Sequence, residues 1–336
     1  MGYRAEKEEI EKKDRKIKFV VFAIVMVILA SLCVFSAFVP PEEWKYYVAL
    51  PNLSKREDGE LRIHFLDVGQ ADSTLIEFPD GQTLLLDGGD VDADEKILRY
   101  LNALKIETLD YMLLTHGDID HCGSLQKIFE RKTVKKVFTP YVSTDELTGS
   151  SAFINFLTAI ENSSAEVEVA KRFSKIESID ERYPFAFSII FPYSGESGGN
   201  EDFDENELST ICWLDYLGKS ALFCGDTNAD ILQKLVFENE LGEFSKMGVD
   251  LAGTEILKVP HHGGNDGLYE EFFDSVSVET AIISCGKNNP YGHPASETLK
   301  FLRDANVEVY RTDWHGDVVV CVDKNAQIQI EHKKRD

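Results

Sequence analysis

The sequence predicts an α/β protein in which two sheets pack face to face with helices on the outside, preceded by one membrane-spanning helix. Three observations predict this architecture. From residue 61 onward, short apolar runs of strand character alternate with helical segments that are apolar on one face. The alternation occurs in two similar halves, and two sheets covered by helices would bury both faces of each sheet. An uncharged apolar run of 21 residues lies ahead of both halves.

The predicted membrane helix is the run Phe19–Val39, whose only polar residues are Ser31 and Ser36. As an α-helix it would be roughly 31 Å long, which matches the hydrocarbon core of a bilayer. The preceding tail, residues 1–18, contains seven Lys or Arg, and the acidic stretch PPEEW follows the run. The positive-inside rule therefore predicts a single-pass protein of the cell membrane, with the tail in the cytosol and everything after Pro40 outside the cytoplasm.

Other interpretations of this apolar run are less favoured. A cleaved signal peptide needs the same order of charges, but its apolar region is usually about 7 to 15 residues long, and no A-x-A site follows here. A lipoprotein signal ending at Cys33 would place Leu32 where a small residue is usual. A buried core helix is disfavoured by the charged flanks. An uncleaved anchor is the favoured interpretation.

The domain after the anchor begins with three predicted strands. Residues 40–60, rich in Pro, charged and turn-forming residues, form a predicted stalk, and residues 61–332 form the domain. The runs LRIHFLDV, STLIEFP and QTLLLDGG have strand character and are separated by turn residues. A helix over Asp92–Leu104 follows, because its apolar residues recur on one face. The strand TLDYMLLTH, a second helix and the strand VKKVFTP complete the first half.

The second half repeats the alternation after a less regular stretch. Residues 141–206 are expected to hold a variable insertion, with a helix at SAFINFLTAIEN, a strand at FAFSIIFP and an acidic, Gly-rich loop. The strands LSTICWLDY and SALFCGD come next, followed by a helix over Asp230–Asn239. Four further strands are predicted at EILKVP, ETAIISC, VEVYRTD and DVVVCVD, separated by helices around Leu268–Phe273 and at SETLKFLRD.

The charge balance limits the partners of the domain. The chain has 35 Lys plus Arg and 59 Asp plus Glu, and beyond the cytosolic tail these counts are 28 and 54. So acidic a surface repels phosphate backbones, which excludes a general nucleic-acid binder that works by charge neutralisation. The composition, 43% hydrophobic and 11% aromatic, also excludes a wholly disordered chain.

Cysteine usage indicates buried thiols rather than a disulfide framework. Cys33 lies in the predicted membrane helix, and the other five cysteines occur singly, mostly in apolar runs and without C-x-x-C spacing. One disulfide, between Cys212 and Cys224 on neighbouring predicted strands, stays open.

Candidate metal ligands follow the predicted strand YMLL in the motif THGDIDH. His116, Asp118, Asp120 and His121 lie within six residues on one turn. Imidazole and carboxylate groups are the usual ligands of zinc, manganese and iron, and a turn lets neighbouring residues face two different ions. A surface turn that caps a helix would account for Asp120 but not for two histidines.

Three later motifs carry the same chemistry at other strand ends. Asp226 ends the strand of FCGDTN, and its two carboxylate oxygens could bridge a metal pair, whose ions lie roughly 3.5 to 4 Å apart in such hydrolases. His261 and His262 follow a strand in KVPHHGG, and His293 lies in YGHP. Each motif is weak or moderate evidence alone, but their order after apolar strands favours one shared metal site.

These motifs resemble those of the metallo-β-lactamase fold. The flanking sequences FLDVGQADS, LLLDGG, AIISCGKNNPYGHP and VYRTDWHGDV are similar to the ComEC-type branch of competence proteins, and the resemblance covers about residues 61 to 323. It implies a four-layer αββα sandwich with two divalent metal ions at one edge and a metal-dependent hydrolase activity. Related domains in this branch act, or are proposed to act, on phosphodiester bonds in DNA or in phosphocholine groups.

Carried over by matching position, the resemblance implies one metal held by His116 and Asp118, the other by Asp120 and His121, and Asp226 as the bridge. One histidine of the HH pair closes the second site. His261 is favoured because it directly follows the strand, which leaves His262 to support a ligand or contact substrate.

Supporting roles are implied for residues beside these motifs. Asp120 could orient the attacking water, and His293 and Lys258 could stabilise the phosphate or the leaving oxygen; a turn-capping histidine and a solvated lysine are equal alternatives. Asp87 and Asp67 could hold a ligand imidazole in the required tautomer.

Two departures from the commonest pattern of the fold bear on the metal. Asp118 replaces a histidine, and no histidine occurs between residues 121 and 261, where Asn206 and Ser209 lie instead. Both changes resemble the ComEC branch. They make the first site richer in oxygen, so manganese competes with zinc as the expected metal.

Three functions remain open from the sequence. The favoured one is an extracytoplasmic, membrane-tethered phosphodiesterase or nuclease, whose acidic surface suits a small phosphodiester or a locally held single strand of DNA better than a long duplex. The second is a hydrolase of the same fold that acts on a β-lactam or another ester or amide. The third is a non-catalytic binding protein. No protein partner is identifiable.

Overall fold

The computed structural model describes residues 2–38, 54–140, 150–192, 206 and 208–332. Most of the expected stalk, and residues 141–149 and 193–205 of the expected insertion, lie outside the described residues. The chain divides into two compact units, Met1–Ala49 and Leu50–Asp336.

The first unit contains one long helix, α1 (Gly2–Phe38). Its segment Arg15–Ala37 is long and apolar enough to cross a membrane, and it is the one such helix among the described residues. Its large apolar side chains are exposed, as a lipid-facing surface requires. Length and composition thus agree with the predicted anchor, whose last residue, Val39, is outside the described part.

The second unit contains an eight-stranded and a seven-stranded sheet in its described residues. In spatial order the strands of the first sheet are β15 (Ile328–His332), β14 (Val318–Val322), β1 (Leu61–Phe65), β2 (Thr74–Glu77), β3 (Thr83–Leu86), β4 (Thr108–Leu113), β5 (Thr133–Thr139) and β6 (Glu166–Val169). Those of the second sheet are β13 (Glu308–Arg311), β12 (Thr280–Ile283), β11 (Ile256–Lys258), β10 (Lys219–Phe223), β9 (Ile211–Tyr216), β8 (Phe185–Phe191) and β7 (Lys175–Glu177).

Helices connect these strands. They are α2 (Asp94–Ala103), α3 (Ile119–Cys122), α4 (Leu125–Arg131), α5 (Ser151–Glu161), α6 (Ala229–Glu240), α7 (Glu243–Lys246), α8 (Glu270–Ser275), α9 (Ser296–Asp304) and α10 (Thr312–His315). Two short 3-10 turns, Pro260–Gly263 and Asn265–Gly267, follow β11.

The main core fills the space between the two sheets. Phe65 of the first sheet and Phe223 of the second have ring centroids 6.2 Å apart, and Phe78 stacks on Phe185 at 4.3 Å. A second apolar cluster lies on the other face of the seven-stranded sheet, where α6, α8 and α9 bury residues such as Leu232. On the eight-stranded sheet, α4 contacts β5 and is flanked by α2 and α5. The predicted four-layer αββα sandwich is confirmed.

The direction of the strands places the candidate ligands at one edge. β3 and β4 are parallel, with Leu86 paired to Leu113, and β10, β11 and β12 are parallel in the other sheet. Parallel strands end at the same edge of a sheet, so the residues that follow them collect there. The motifs after β3, β4, β10 and β11 therefore meet although they are far apart in sequence.

Two expectations differ from the structure. The described part of the expected insertion is integral to the fold, because it contributes β6 to one sheet and β7 and β8 to the other. A disulfide between Cys212 and Cys224 is wrong: both thiols are free and buried. Cys212 belongs to the cluster between the sheets, whereas Cys224 belongs to the cluster on the opposite face of the second sheet. Side chains on opposite faces of a sheet cannot be joined.

Candidate metal centre

The first candidate ligands lie directly after β4. His116 is buried, and its Nδ1 lies 3.0 Å from Thr115 Oγ1 and 3.2 Å from Ser209 Oγ. These contacts leave Nε2 directed toward Asp118, whose Oδ2 is 3.7 Å away. The side chain of Asp118 is 43% exposed. The pair thus joins a fixed, buried imidazole to a carboxylate at the rim of the site.

His121, on α3, is held by a carboxylate behind it. Its Nδ1 lies 2.9 Å from Asp87 Oδ2, and the Asp87 carboxylate also accepts two hydrogen bonds of 2.8 Å from the backbone N–H and hydroxyl of Thr115. Because the Nδ1 proton is donated to Asp87, Nε2 is the nitrogen available to a ligand. That Nε2 lies 3.3 Å from Asp226 Oδ1.

Asp226 lies at the centre of the group. Its backbone N–H donates to Ser209 Oγ at 3.1 Å, which fixes the turn after β10. Its Oδ1 faces His121, and its Oδ2 lies 3.4 Å from His262 Nε2 and 3.7 Å from His261 Nε2. The two oxygens of one buried carboxylate therefore face different imidazoles.

The two adjacent histidines point in different directions. Both adopt left-handed backbone conformations, with φ of 45° for His261 and 52° for His262. His262 is buried; its Nδ1 donates to the Ser284 carbonyl at 2.9 Å, and its Nε2 is 3.3 Å from Asp120 Oδ2. His261 is partly exposed, and its Nδ1 lies 2.6 Å from Asp266 Oδ2. His262, rather than His261, is thus the histidine whose Nε2 reaches both Asp120 and Asp226.

The electrostatics of the group favour a cation. Burial alone would lower the pKa of His121, but the carboxylates of Asp226 and Asp87 raise it well above its usual value. Against the same effect of burial, Asp226 and Asp72 raise the pKa of His262 to about 10. Burial would raise the pKa of Asp120, yet the hydrogen bond from His262 lowers it to about 2. The carboxylates dominate, so in the metal-free protein the imidazoles supply the balancing positive charge.

The donor atoms also fit a divalent metal. Among the described residues, the following buried atoms of this group have no hydrogen-bond partner: His116 Nε2, His121 Nε2, Asp226 Oδ1 and Asp72 Oδ1. Buried polar atoms in folded proteins normally have partners, so unpartnered nitrogens and oxygens that converge require another explanation. Zinc, manganese and iron bind such donors.

Comparison with known proteins identifies the domain. A model of the metallo-β-lactamase superfamily matches residues 66–141, the segment that carries His116 and His121. ComE operon protein 3 of Bacillus subtilis is 27% identical over 276 residues, which cover 77% of this chain and 33% of that protein. The domain has the metallo-β-lactamase fold and is similar to the ComEC-type competence proteins.

Two further proteins are similar to this chain. Competence protein ComA of Neisseria gonorrhoeae is 24% identical over 260 residues, covering 77% of this chain and 32% of that protein. A metallo hydrolase from the archaeon Ignicoccus hospitalis is 16% identical, covers 77% of this chain and 98% of that chain, and has a TM-score of 0.47. The chain spans about a third of the length of the curated relatives it matches.

The sequence analysis missed one acidic residue of the candidate site. Asp72, in QADS, is buried and lies within 4.8 Å of donor atoms of His121, Asp226 and His262. It approaches the Nδ1 atoms of both histidines, each at 3.9 Å, and not the Nε2 atoms that face Asp226. The register could have indicated it: β2 runs antiparallel to β3, so the residues just before β2 lie beside those just after β3.

Lys258 does not lie where a contact with the phosphate or the leaving oxygen would place it. Its ammonium group is buried and pairs with Asp72, and it lies 4.0 Å from Asp226 Oδ1. A phosphate contact would need an exposed lysine, whereas this one neutralises Asp72 from behind the site. Burial alone would lower the pKa of Lys258, but Asp72 and Asp226 raise it.

Of the remaining predicted residues, His293 lies at the cavity, whereas Asp67 and Asn206 have other contacts. His293 lies in the wall of a cavity of about 630 Å³ that opens over Asp120, Asp226 and His262. Asp67 instead contacts Lys96 and Asp317. The Asn206 carbonyl accepts a hydrogen bond from the backbone of Ser209, the residue whose hydroxyl contacts His116.

Proposed function

We propose that this protein is a membrane-anchored, extracytoplasmic phosphodiesterase or nuclease that uses two divalent metal ions. The observation that carries the proposal is the convergence of unpartnered, buried histidine and aspartate atoms around Asp226, beneath an open cavity. Its family supports hydrolysis as the type of reaction.

The proposed ligands divide into two sets that share Asp226. Asp120, His121 and His262 form one set, because the Nε2 atoms of both histidines lie within 3.4 Å of the Asp226 carboxylate and Asp120 Oδ2 lies 3.3 Å from His262. This assignment replaces His261 by His262 in the second site. His116 and Asp118 form the other set. Because a carboxylate replaces a second histidine there, manganese can compete with zinc for this site.

The metals would supply two things when bound: they lower the pKa of water, and they neutralise the charge on phosphate oxygens. The chain's own residues hold this chemistry in place. Asp87 fixes the tautomer of His121, and the Ser284 carbonyl fixes that of His262. Asp120, at the floor of the cavity, would orient the attacking water. His293, partly exposed in the wall, would donate to the phosphate or to the leaving oxygen.

The proposal is tested on the full chain in detergent micelles. The protein is stripped of metal, reloaded with manganese or zinc, and assayed with bis-p-nitrophenyl phosphate and with labelled single-stranded DNA. We expect metal-dependent turnover that Asp120→Ala and His121→Ala abolish, together with a loss of bound metal in His121→Ala. The exposed residues Asp304 and His332 provide matched controls as Asp304→Ala and His332→Ala, which should keep both activity and metal.

Other outcomes would contradict this function. Hydrolysis of a chromogenic β-lactam without turnover of either phosphodiester would favour a hydrolase of another substrate. A folded, metal-loaded protein that turns over none of these substrates would favour a binding role.

The orientation of the anchor needs its own test. Residues 1–18 carry seven basic side chains ahead of the apolar segment, which supports a cytosolic tail. Alkaline phosphatase fused after residue 336 should be active, because that enzyme folds only outside the cytoplasm, and green fluorescent protein fused there should stay dark. The reverse pattern would place the domain in the cytosol.

A further inference from the structure

The cavity over the metal centre contains no basic side chain in its described lining. Its charged residues other than histidine are Asp90, Asp118, Asp120 and Asp226. Lys287, on the neighbouring loop, is exposed and is not part of the cavity wall.

This charge pattern limits the length of an anionic substrate. Two divalent ions would carry four positive charges, and the carboxylates of Asp118, Asp120 and Asp226 would cancel most of that charge. One reacting phosphodiester can be accommodated by the remainder. Proteins that follow a long phosphate backbone line their grooves with Lys and Arg, which are missing from this wall.

The part of a neighbouring loop that lines the cavity, Pro290, Tyr291 and His293, carries no Lys, Arg, Asp or Glu. The side chain of Asn289 donates to the Gly286 carbonyl at 2.9 Å and accepts from the backbone N–H groups of Tyr291 and His293 at 3.2 and 3.0 Å. Gln70 accepts a hydrogen bond of 2.9 Å from the backbone of Gly286, which ties the loop to the other sheet. The loop is therefore held in shape before a substrate arrives.

Tyr291 is the outermost ring of a series that begins at the metal centre. Its side chain is 70% exposed at the cavity wall, and its ring centroid lies 5.9 Å from that of His293 at an interplanar angle of 34°. The His293 ring lies 5.4 Å from His261 and 6.4 Å from His262. A planar group bound next to a phosphodiester at the metals could reach the exposed ring of Tyr291. An exposed tyrosine held on a fixed loop binds such groups by stacking.

We propose that Tyr291 is a specificity-determining residue that stacks on a nucleobase, and that the substrate is a dinucleotide or the end of a short single strand. This inference rests on the phosphodiesterase function proposed above. It adds the class of substrate, a phosphodiester with an aromatic base on one side, and a source of affinity other than charge.

The test compares a thymidine dinucleotide with an analogue that has the same diester but lacks one base. Tyr291→Ala should lower kcat/KM for the dinucleotide by about 5- to 150-fold, mainly through KM, since stacking contributes about 1–3 kcal/mol per base. Tyr291→Phe should restore most of the loss, because it keeps the ring. Phe237→Ala removes a similarly exposed aromatic side chain from α6 and should leave kcat/KM for the dinucleotide unchanged. For the analogue that lacks a base, kcat/KM should be similar in the wild type and in Tyr291→Ala.

The outcomes separate this inference from the proposed function. If the wild type hydrolyses diesters but Tyr291→Ala treats the dinucleotide as the wild type does, the stacking role is wrong and the phosphodiesterase stands. If Tyr291→Phe loses as much as Tyr291→Ala, the hydroxyl and not the ring matters, which also overturns stacking. If the metal-loaded wild type hydrolyses no diester, both proposals fail together.

Salt dependence tests the limit on length. For a long single strand, kcat/KM should rise or stay within about twofold between about 50 and 200 mM salt, because salt screens repulsion from the acidic wall. A protein that makes many phosphate contacts loses about 10³- to 10⁵-fold in affinity over that range. A fall of about tenfold or more would overturn the inference that the site binds one diester at a time rather than a length of phosphate backbone.

Discussion

The hydrogen bond between Asp87 and His121 fixes one of the proposed metal ligands from behind. Asp87 lies directly after β3 and is fully buried, and its carboxylate accepts from His121 and from Thr115. It thereby fixes both the ring orientation of His121 and the nitrogen that faces Asp226. The sequence predicted this supporting role from the position of Asp87 at a strand end, and the contacts agree with it.

Asp87→Asn should weaken metal binding by about 10- to 100-fold, the usual effect of losing a carboxylate behind a ligand histidine. The amide keeps the shape of the side chain but favours the wrong histidine tautomer. Titration of the full chain with manganese against a competing chelator measures the affinity, and Asp304→Asn is the matched surface control. Unchanged affinity in Asp87→Asn would argue against His121 as a ligand.

The second prediction for single residues concerns the ion pair between Lys258 and Asp72. Both side chains are buried, so Lys258→Met leaves a buried carboxylate without its partner and should lower the free energy of unfolding by about 3–5 kcal/mol. Adding Asp72→Asn to that variant removes the unpaired charge and should restore part of the loss. Denaturant unfolding of the four proteins, followed by tryptophan fluorescence, measures the coupling. Additive effects would mean that the two groups do not interact.

At the scale of elements, β1 and β2 are joined by a buried polar contact on the face away from the main core. His64 Nε2 lies 3.0 Å from Glu77 Oε1, and His64 Nδ1 lies 2.9 Å from the Tyr100 hydroxyl of α2. Burial alone would raise the pKa of Glu77, but His64, Arg56 and Arg62 lower it below its usual value of 4.5. This contact links two strands and a helix.

A lowered pKa of Glu77 in the folded protein means that its ionised form stabilises the fold. That contribution is complete above the unfolded-state pKa and is lost as the pH falls through the folded-state value. The melting temperature of the wild type should therefore fall more steeply below about pH 4.5 than that of Glu77→Gln. Thermal unfolding at a series of pH values compares them, and parallel curves would refute a stabilising role for the ionised carboxylate.

The strand pattern also explains what could be predicted at this scale. Helices such as α2 and α9 and the strands that end in the motifs were predicted because apolar periodicity is a local property. β6, β7 and β15 were not, since they are short or partly exposed edge strands in which few residues alternate cleanly. Their assignment depends on pairing with distant neighbours.

For the whole molecule, metal binding should be linked to folding stability. The proposed ligands come from both sheets and converge on Asp226, so an ion bound there would join the two sheets and would bind only the folded chain. Manganese at about 100 times its dissociation constant should stabilise the protein by about 2.7 kcal/mol and raise the melting temperature by several degrees. Asp226→Asn should lose this shift and Asp304→Asn should keep it. A shift that persists in Asp226→Asn would place the metal elsewhere.

The sequence alone predicted the class of the fold, an apolar segment of bilayer length and the residue types of the candidate site. Each of these depends on local patterns: the period of apolar residues, an uncharged run of bilayer length, and histidines and aspartates that follow strands. The tertiary structure decided which of these side chains meet and through which atoms. The left-handed backbone at His261 and His262 turns His262 inward, contrary to the expectation from proximity to β11. The antiparallel register of β2 and β3 brings Asp72 beside Gly89 after β3, and the buried Lys258 pairs with Asp72. Such contacts depend on strand register and backbone dihedral angles, which residue order along the chain does not specify.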